Sequence, residues 1–451
     1  MKIAIIGGGW AGMAAAIAVV QAGHYASVFE AARTVGGRAR AVVHKDEHGK
    51  PMLLDNGQHI LIGAYAESLR LMRLVGVDPD KALLRLPLTL RFADNSGLQW
   101  PDRAPPWDAV LGIAGARSWH WRERLALLRV ATLWRIKRFR CAPLASVSDL
   151  CAKLPPRLLQ EFIDPLCIAA LNTPAHEASG QVFLRVLQDS LFSGPGGSNL
   201  LLPRVDLGEV FPQAAARWLR GNGAIVRTGA RVQTLVANTH GGWNVGGMAF
   251  DAVILATTST EAARLVSQAA QTAPYDMAVP LCDWAACAQA LQFEAITTVY
   301  LQGTAPPNGA LLPRPMVALR NTPEHPAQFA FDRGQLGGKA GLLAFVISTS
   351  HGDRATLEAQ VLQQAQQELG LSDLQPLQTL VDKRATFACT PGLQRPGAQL
   401  APGLWACGDY IAGPYPATLE GAVISGTSAG TLAGAAASAT AGAKLSAKVT
   451  N

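Results

Sequence analysis

Residues 2–30 read KIAIIGGGWAGMAAAIAVVQAGHYASVFE, and no other stretch restricts the fold as tightly. KIAII is a short, β-rich apolar run suited to a strand buried on both faces. Gly7, Gly9 and Gly12 follow at the spacing G-x-G-x-x-G, with Trp10 and Ala11 inside the motif. MAAAIAVVQAG then reads as a helix ending at Gly23, and YASVF as a second strand closing on Glu30 and Ala31. A strand, glycine turn, helix, strand and acid in this register form a dinucleotide-binding unit. Gly7 allows the tight turn, Gly9 lets the backbone approach a pyrophosphate, and Gly12 lets the helix pack close to the strand. The helix N-terminus faces the phosphates. Glu30 would accept from ribose hydroxyls. A glycine-rich turn without a ligand is the competing reading, and it leaves the acid unexplained.

EAARTVGGRAR places Gly36, Gly37, Arg38 and Ala39 just after that acid. This resembles the second signature of the amine-oxidase and phytoene-desaturase class of flavoproteins, where a Gly-Gly-Arg turn supports the FAD pyrophosphate. Arg38 would offer a charge-assisted donor to the diphosphate; an ordinary surface arginine is the alternative. Near the other end, LWACGD reads as an apolar strand ending at Gly408 and Asp409. TLEGAVISGTSAGTLAGA follows as a helix with Gly421, Ser425 and Ala429 on one small-residue face, which lets a helix start approach a ligand closely. In the resembled class the Gly-Asp contacts the ribityl–phosphate region and the helix start, here Leu419 to Ala422, lies against the flavin. The class pattern also puts Val232, on a strand read in AIVRTGARVQTLVAN, near the adenine. GGWNVGGMAFDAVILAT reads as two strands, the second ending the sheet.

The expectation is therefore an α/β protein: a Rossmann-like FAD-binding domain of the amine-oxidase type with an inserted α+β substrate domain. The first would draw on residues 1–85, 205–265 and 385–435. Residues 86–204 and 266–384 would form the substrate or lid side, and 436–451 a flexible low-complexity tail.

At 451 residues the chain can hold two or three cores. Its seven cysteines are odd in number and scattered, without a CxxC pair, which argues for a reducing compartment, small core thiols and no metal site. The first twenty residues could pass for a signal peptide, but three consecutive glycines would break its apolar helix. No apolar run is long enough to span a membrane. The net charge of +7 is local: residues 117–140 hold eight basic side chains against one acid, Glu123, and account for the whole excess. The rest is balanced, so nucleic acid is not an expected partner.

One polar cluster stands out in an otherwise apolar chain: DNGQHILIGAY, Asp55 to Tyr65. Gly57 and Gln58 suit a turn beside a flat ligand. This wording is similar to that of the bacterial hydroxysqualene dehydroxylases, as are ALNTPAHEAS (170–179), GPYPATLEGAV (413–423) and LRLMRLVGV (69–77). The resemblance runs from Met1 to about Gly430 and is weakest across 266–384. It implies reductive removal of a hydroxyl from a lipophilic triterpene, hydroxysqualene, using reduced FAD. Departure of a hydroxyl wants a proton, and histidine can hold one near neutral pH, which makes His59 the candidate acid. A histidine simply hydrogen-bonded in its turn is the alternative. Asp55 could orient His59 or cap the turn, and Tyr415 could close the pocket. The basic segment, with Trp119, Trp121 and Trp134, suits an anionic membrane surface, although its apolar residues form two arcs instead of one stripe. That places the protein in the cytoplasm, peripheral to the inner membrane. An oxidative polyene desaturase, an amine oxidase and a non-enzymatic flavin-bound lipid escort remain open beside this reading, as does the oligomeric state.

Overall fold

A computed structural model describes residues 1–45, 49–101, 103, 106–191, 194–239, 241–307 and 309–449, with backbone alone at 191 and 437–449. Strand β1 (Lys2–Ile6), helix α1 (Trp10–Gln21) and strand β2 (Tyr25–Phe29) form as the glycine spacing requires. Beyond its exposed Lys2, β1 is buried throughout, so it can only be central. It sits in a six-stranded sheet with the order Ile225–Arg227, β2, β1, Ala252–Leu255, Leu404–Ala406, Gln399–Ala401. The first five are parallel and the last is antiparallel. In such sheets ligands bind beyond the carboxyl ends of the central strands. Here the glycine turn leaves one of those ends.

The long helix Leu419–Val449 packs along α1. Its contact stripe is Gly426, Gly430 and Gly434, a second small-residue face beside the Gly421–Ser425–Ala429 face read from sequence. A Cβ at Gly426 would lie 2.1 Å from the carbonyl oxygen of Ala11, and one at Gly430 would lie 2.4 Å from that of Ala15. Backbones this close exclude any side chain. Its backbone runs on as helix through 436 to Val449, within the stretch expected from sequence to be a low-complexity tail.

Two corrections concern strands. AIVRTGARVQTLVAN forms two short strands, Ile225–Arg227 and Leu235–Ala237, and Val232 lies in the loop between them. GGWNVGGMAFDAVILAT forms three: a hairpin, Trp243–Val245 with Met248–Phe250, and then the sheet strand Ala252–Leu255.

A second, antiparallel sheet lies wholly within 293–387, in the order Met316–Ala318, Phe329–Asp332, Leu342–Ser348, Phe293–Gln302, Gln375–Phe387. Its pairing slips at Tyr300/Leu301. Residues 107–191 are mostly helical, and a π-helical turn at Leu159–Ile163 runs into the helix Asp164–Leu171. Of the cysteines, Cys151, Cys167, Cys389 and Cys407 are buried and Cys282 is exposed. Burial pushes the Cys151 and Cys389 thiols up to about 12, as expected of inert core thiols.

Candidate active site

The three glycines of the first turn are required for different reasons. Gly7 has φ +115°, and a Cβ there would sit 2.3 Å from the Ala256 carbonyl oxygen. A Cβ at Gly12 would sit 1.9 Å from the Gly7 oxygen. Gly9 differs: its nearest neighbour would be the Gly37 Cα at 3.7 Å, an ordinary contact. Nothing in the chain itself forbids a side chain at 9, so this glycine is not demanded by the protein's own packing, and a bare backbone here suits a ligand from outside the chain. That is the cradle a pyrophosphate needs at a helix N-terminus.

Glu30 does two jobs. Its Oε2 accepts from the Gly8 N–H at 2.7 Å and its Oε1 from the Ala32 N–H at 2.7 Å, fixing the turn. Each oxygen keeps acceptor capacity for a ribose hydroxyl. Ala31 beside it is exposed. The Trp10 indole donates to the Ala39 oxygen at 3.3 Å and its ring packs on Phe211. Val232 is buried, and its carbonyl accepts from Arg264 at 3.2 Å.

Arg38 has a partner the sequence did not reveal. Its guanidinium bonds the Asp409 carboxylate and donates to the Ala385 oxygen at 2.7 Å, and it keeps further N–H donors. Its charge offsets a buried acid that would be costly unpaired. This ties the two ends of the chain together. Gly36 N–H donates to the Gly8 oxygen at 2.8 Å, and Asn56 donates to Arg38 and Arg40 oxygens at 3.3 and 3.1 Å. The glycine turn, the Gly-Gly-Arg turn, Asp409 and the DNGQH stretch are thus one hydrogen-bonded body.

Gly408, at φ +152°, would drive a Cβ into the Tyr410 ring at 2.8 Å, and its N–H donates to Ser425 Oγ at 3.2 Å. The start of the long helix is capped by Thr418, whose Oγ1 accepts from Gly421 N–H at 3.0 Å. Gly421 is required because a Cβ there would lie 1.9 Å from the Tyr415 oxygen. Leu419 and Ala422 pack against the apolar core beneath. Tyr415 itself turns to the Arg185 guanidinium, 5.6 Å from its ring, and burial pushes its hydroxyl above the usual range.

In DNGQH, Asp55 receives two bonds from His59: the backbone N–H to Oδ2 at 2.9 Å and ring Nδ1 to Oδ1 at 2.8 Å. Nε2 of His59 has no hydrogen-bond partner among the described residues, and the side chain is 25% exposed. The turn is strained: Gly57 has φ +140° and Gln58, with a Cβ, has φ +51°. Such strain concentrates at functional sites. Gly57 also leaves room for the imidazole, which would stand 3.3 Å from a Cβ there.

Sequence reasoning missed the residues that brace this turn. Tyr300, fully buried in the second sheet, donates to the Asp55 backbone oxygen at 2.7 Å and accepts from Gln58 Nε2 at 2.7 Å. The register slip beside it is the kind of irregularity that re-aims a strand side chain. Arg333 donates to Gln58 Oε1 at 3.3 Å. Glu420, 3% exposed, accepts from the Glu67 and Ser68 N–H groups at 2.8 and 2.9 Å and from the Ser68 hydroxyl at 2.6 Å. It caps the helix Ala66–Leu74, although burial still pushes its carboxyl up. No motif announced it.

The open cradle at Gly9, the acid at the end of β2 and the helix start at Thr418 fit a flavin dinucleotide. The chain matches the family described as flavin containing amine oxidoreductase over residues 10–431. It belongs to that family. It is an oxidoreductase whose cofactor is FAD. Among relatives, it is similar to hydroxysqualene dehydroxylases of Rhodopseudomonas palustris, at 27% identity covering 94% of this chain and 96% of that one, and of Sinorhizobium fredii, at 26% identity covering 95% and 97%. Among solved structures it shares the fold of an oxidoreductase from Methanosarcina mazei, with TM-score 0.69, 16% identity and coverage of 95% and 99%.

Proposed function

We propose that this flavoprotein removes the hydroxyl of hydroxysqualene, a lipophilic triterpene alcohol, and that the Asp55–His59 pair serves the departing group. Similarity over almost the whole length to two proteins named for that reaction supports the substrate. The geometry that carries the catalytic part is His59: its Nδ1 is held by Asp55 while Nε2 is left without a partner in a turn bonded to the FAD-holding residues. Reduced FAD, when bound, supplies a hydride to the carbon that loses oxygen. His59 Nε2 delivers the proton, the C–O bond breaks, and oxygen leaves as water. Asp55 fixes the ring orientation. Tyr300 and Arg333 hold the turn through Gln58 and touch no substrate. The division into an FAD-binding part (1–85, 205–265, 385–435) and a substrate part (86–204, 266–384) belongs to the same proposal, since the two sheets fall on either side of it except for the last three residues of the strand Gln375–Phe387. Among the described residues no helix is long and apolar enough to cross a membrane. The peripheral placement, on the cytoplasmic side of the inner membrane, rests on the basic, tryptophan-bearing segment 117–140.

The test is anaerobic incubation of the FAD-loaded, chemically reduced protein with hydroxysqualene, followed by chromatography of the lipid extract. Squalene should accumulate with oxidation of the flavin. Unchanged hydroxysqualene, alongside turnover of phytoene or of a primary amine by the oxidised enzyme, would give the site to desaturation or amine oxidation.

A further inference from the structure

The two apolar arcs of the basic segment resolve into an inside and an outside. On the helix Trp121–Ile136, Leu127 and Trp134 are buried at 1% and 7% exposure. Trp121, Leu125, Leu133 and Ile136 face outward at 67%, 36%, 47% and 73%. By helical geometry these four share one face with Arg122, Arg129 and Arg135, which are also exposed. Lys137, Arg138 and Arg140 continue the charge, and none of these six cations has an ion pair among the described residues. The segment's acid, Glu123, bends back to accept from the His120 N–H at 2.7 Å. The preceding helix, Trp107–Ala114, extends the patch with Trp107 and Leu111, 64% and 49% exposed. Arg124 clamps the two helices together by donating to the Ala116 and Ala114 carbonyl oxygens at 2.7 and 2.5 Å.

We propose that these two clamped helices are a docking face for an anionic phospholipid bilayer. Trp107, Trp121, Leu125 and Ile136 would enter the boundary between headgroups and acyl chains. Arg122, Arg129 and Arg135 would reach up to the lipid phosphates along their apolar stems. Large exposed apolar groups interleaved with unpaired cations match that layered solvent. A nucleic acid would take the cations and leave the tryptophans in water. A second copy would set cation against cation across a two-fold axis. The proposal gives a lipophilic substrate a route to the enzyme and in that sense rests on the reading above, but its test does not involve the substrate.

Flotation of the full-length, FAD-loaded protein with vesicles of phosphatidylcholine alone, or with phosphatidylglycerol added, decides it. Binding should require phosphatidylglycerol and weaken with salt. The charge variant Arg122→Glu/Arg129→Glu/Arg135→Glu and the apolar variant Trp121→Ser/Ile136→Ser should each lower the partition coefficient by about tenfold or more, with flavin absorbance unchanged. Tyr275→Ser, also at a highly exposed aromatic, should bind as the parent does. The proposal is overturned if the parent ignores phosphatidylglycerol vesicles, or if either docking variant floats as the parent does. It is equally overturned if Trp121→Ser turns a dimer into a monomer while vesicle binding stays constant.

Discussion

At the scale of single residues, His59 and Gly9 separate chemistry from architecture. His59→Ala removes the imidazole but keeps a residue that suits the turn, so the protein should fold and stay yellow. Turnover of hydroxysqualene should fall by about 10²–10⁴, the reach of a general acid. Single-turnover flavin oxidation under substrate measures this directly, and a near-parental rate would make the histidine structural. Asp55→Asn should cost less in rate, because the amide oxygen can still accept from the imidazole, though it loses the negative charge behind it. Gly9→Trp should abolish the flavin spectrum while leaving the far-ultraviolet dichroism of the parent, because the chain itself does not crowd that position; retention of bound FAD would refute the cradle. Residues of this kind were legible in sequence where cause and partner sit within a few positions. Asp55 and His59 are four apart, and the glycine turn is contiguous. The tie from Arg38 to Asp409 was not legible, because the two lie 371 positions apart. A basic residue near an expected phosphate is read toward the phosphate, and the distant acid it also holds is seen only in the fold.

At the scale of elements, the long helix Leu419–Val449 shows what periodicity cannot choose. Most positions in its first half are small, so a stripe at i, i+4, i+8 can be drawn on more than one face. Only the approach of α1 picks Gly426, Gly430 and Gly434. Gly430→Ala places a methyl 2.4 Å from the Ala15 oxygen. The helix must then lift off α1, an overpacking expected to cost about 1–3 kcal/mol. Differential scanning fluorimetry should show a lower melting temperature and easier flavin loss. The same substitution at Gly434, where the nearest atoms are the Ala22 Cβ at 3.1 Å and the His24 ring at 3.2 Å, should be milder, because these contacts are far less tight than the 2.4 Å at Gly430. Equal effects at both positions would remove α1 as the cause. Strands raised the complementary difficulty. Val232 was placed on one because AIVRTGARVQTLVAN is β-rich, but Gly229 at φ +67° turns the chain first.

At the scale of the whole molecule, the second sheet reaches into the flavin half through Tyr300. Burial pushes the Tyr300 hydroxyl far up, so it remains a donor at any working pH, and it donates to the backbone of Asp55, 245 positions earlier. A sequence reading gives residues 266–384 to the substrate and has no means of seeing that one of their side chains supports the Asp55–His59 turn. Tyr300→Phe keeps the ring and its packing while deleting the hydroxyl. The Asp55 carbonyl then loses this partner and Gln58 Nε2 loses its acceptor, in a site where water has little access. Each buried group left unsatisfied should cost about 1–3 kcal/mol. Urea unfolding should register that loss with an unchanged m-value, because the surface exposed on unfolding is the same. The rate should fall as well, since Gln58 sits in a left-handed conformation that its neighbours impose and is next in sequence to His59. Gln58→Ala in the Tyr300→Phe background distinguishes a positioning effect from a general loss of stability. If Tyr300 acts through Gln58, the second substitution should add little to the rate loss, the signature of coupled residues. Additive losses in rate would mean that the two side chains work independently and that the second sheet stabilises the molecule without setting the geometry of His59.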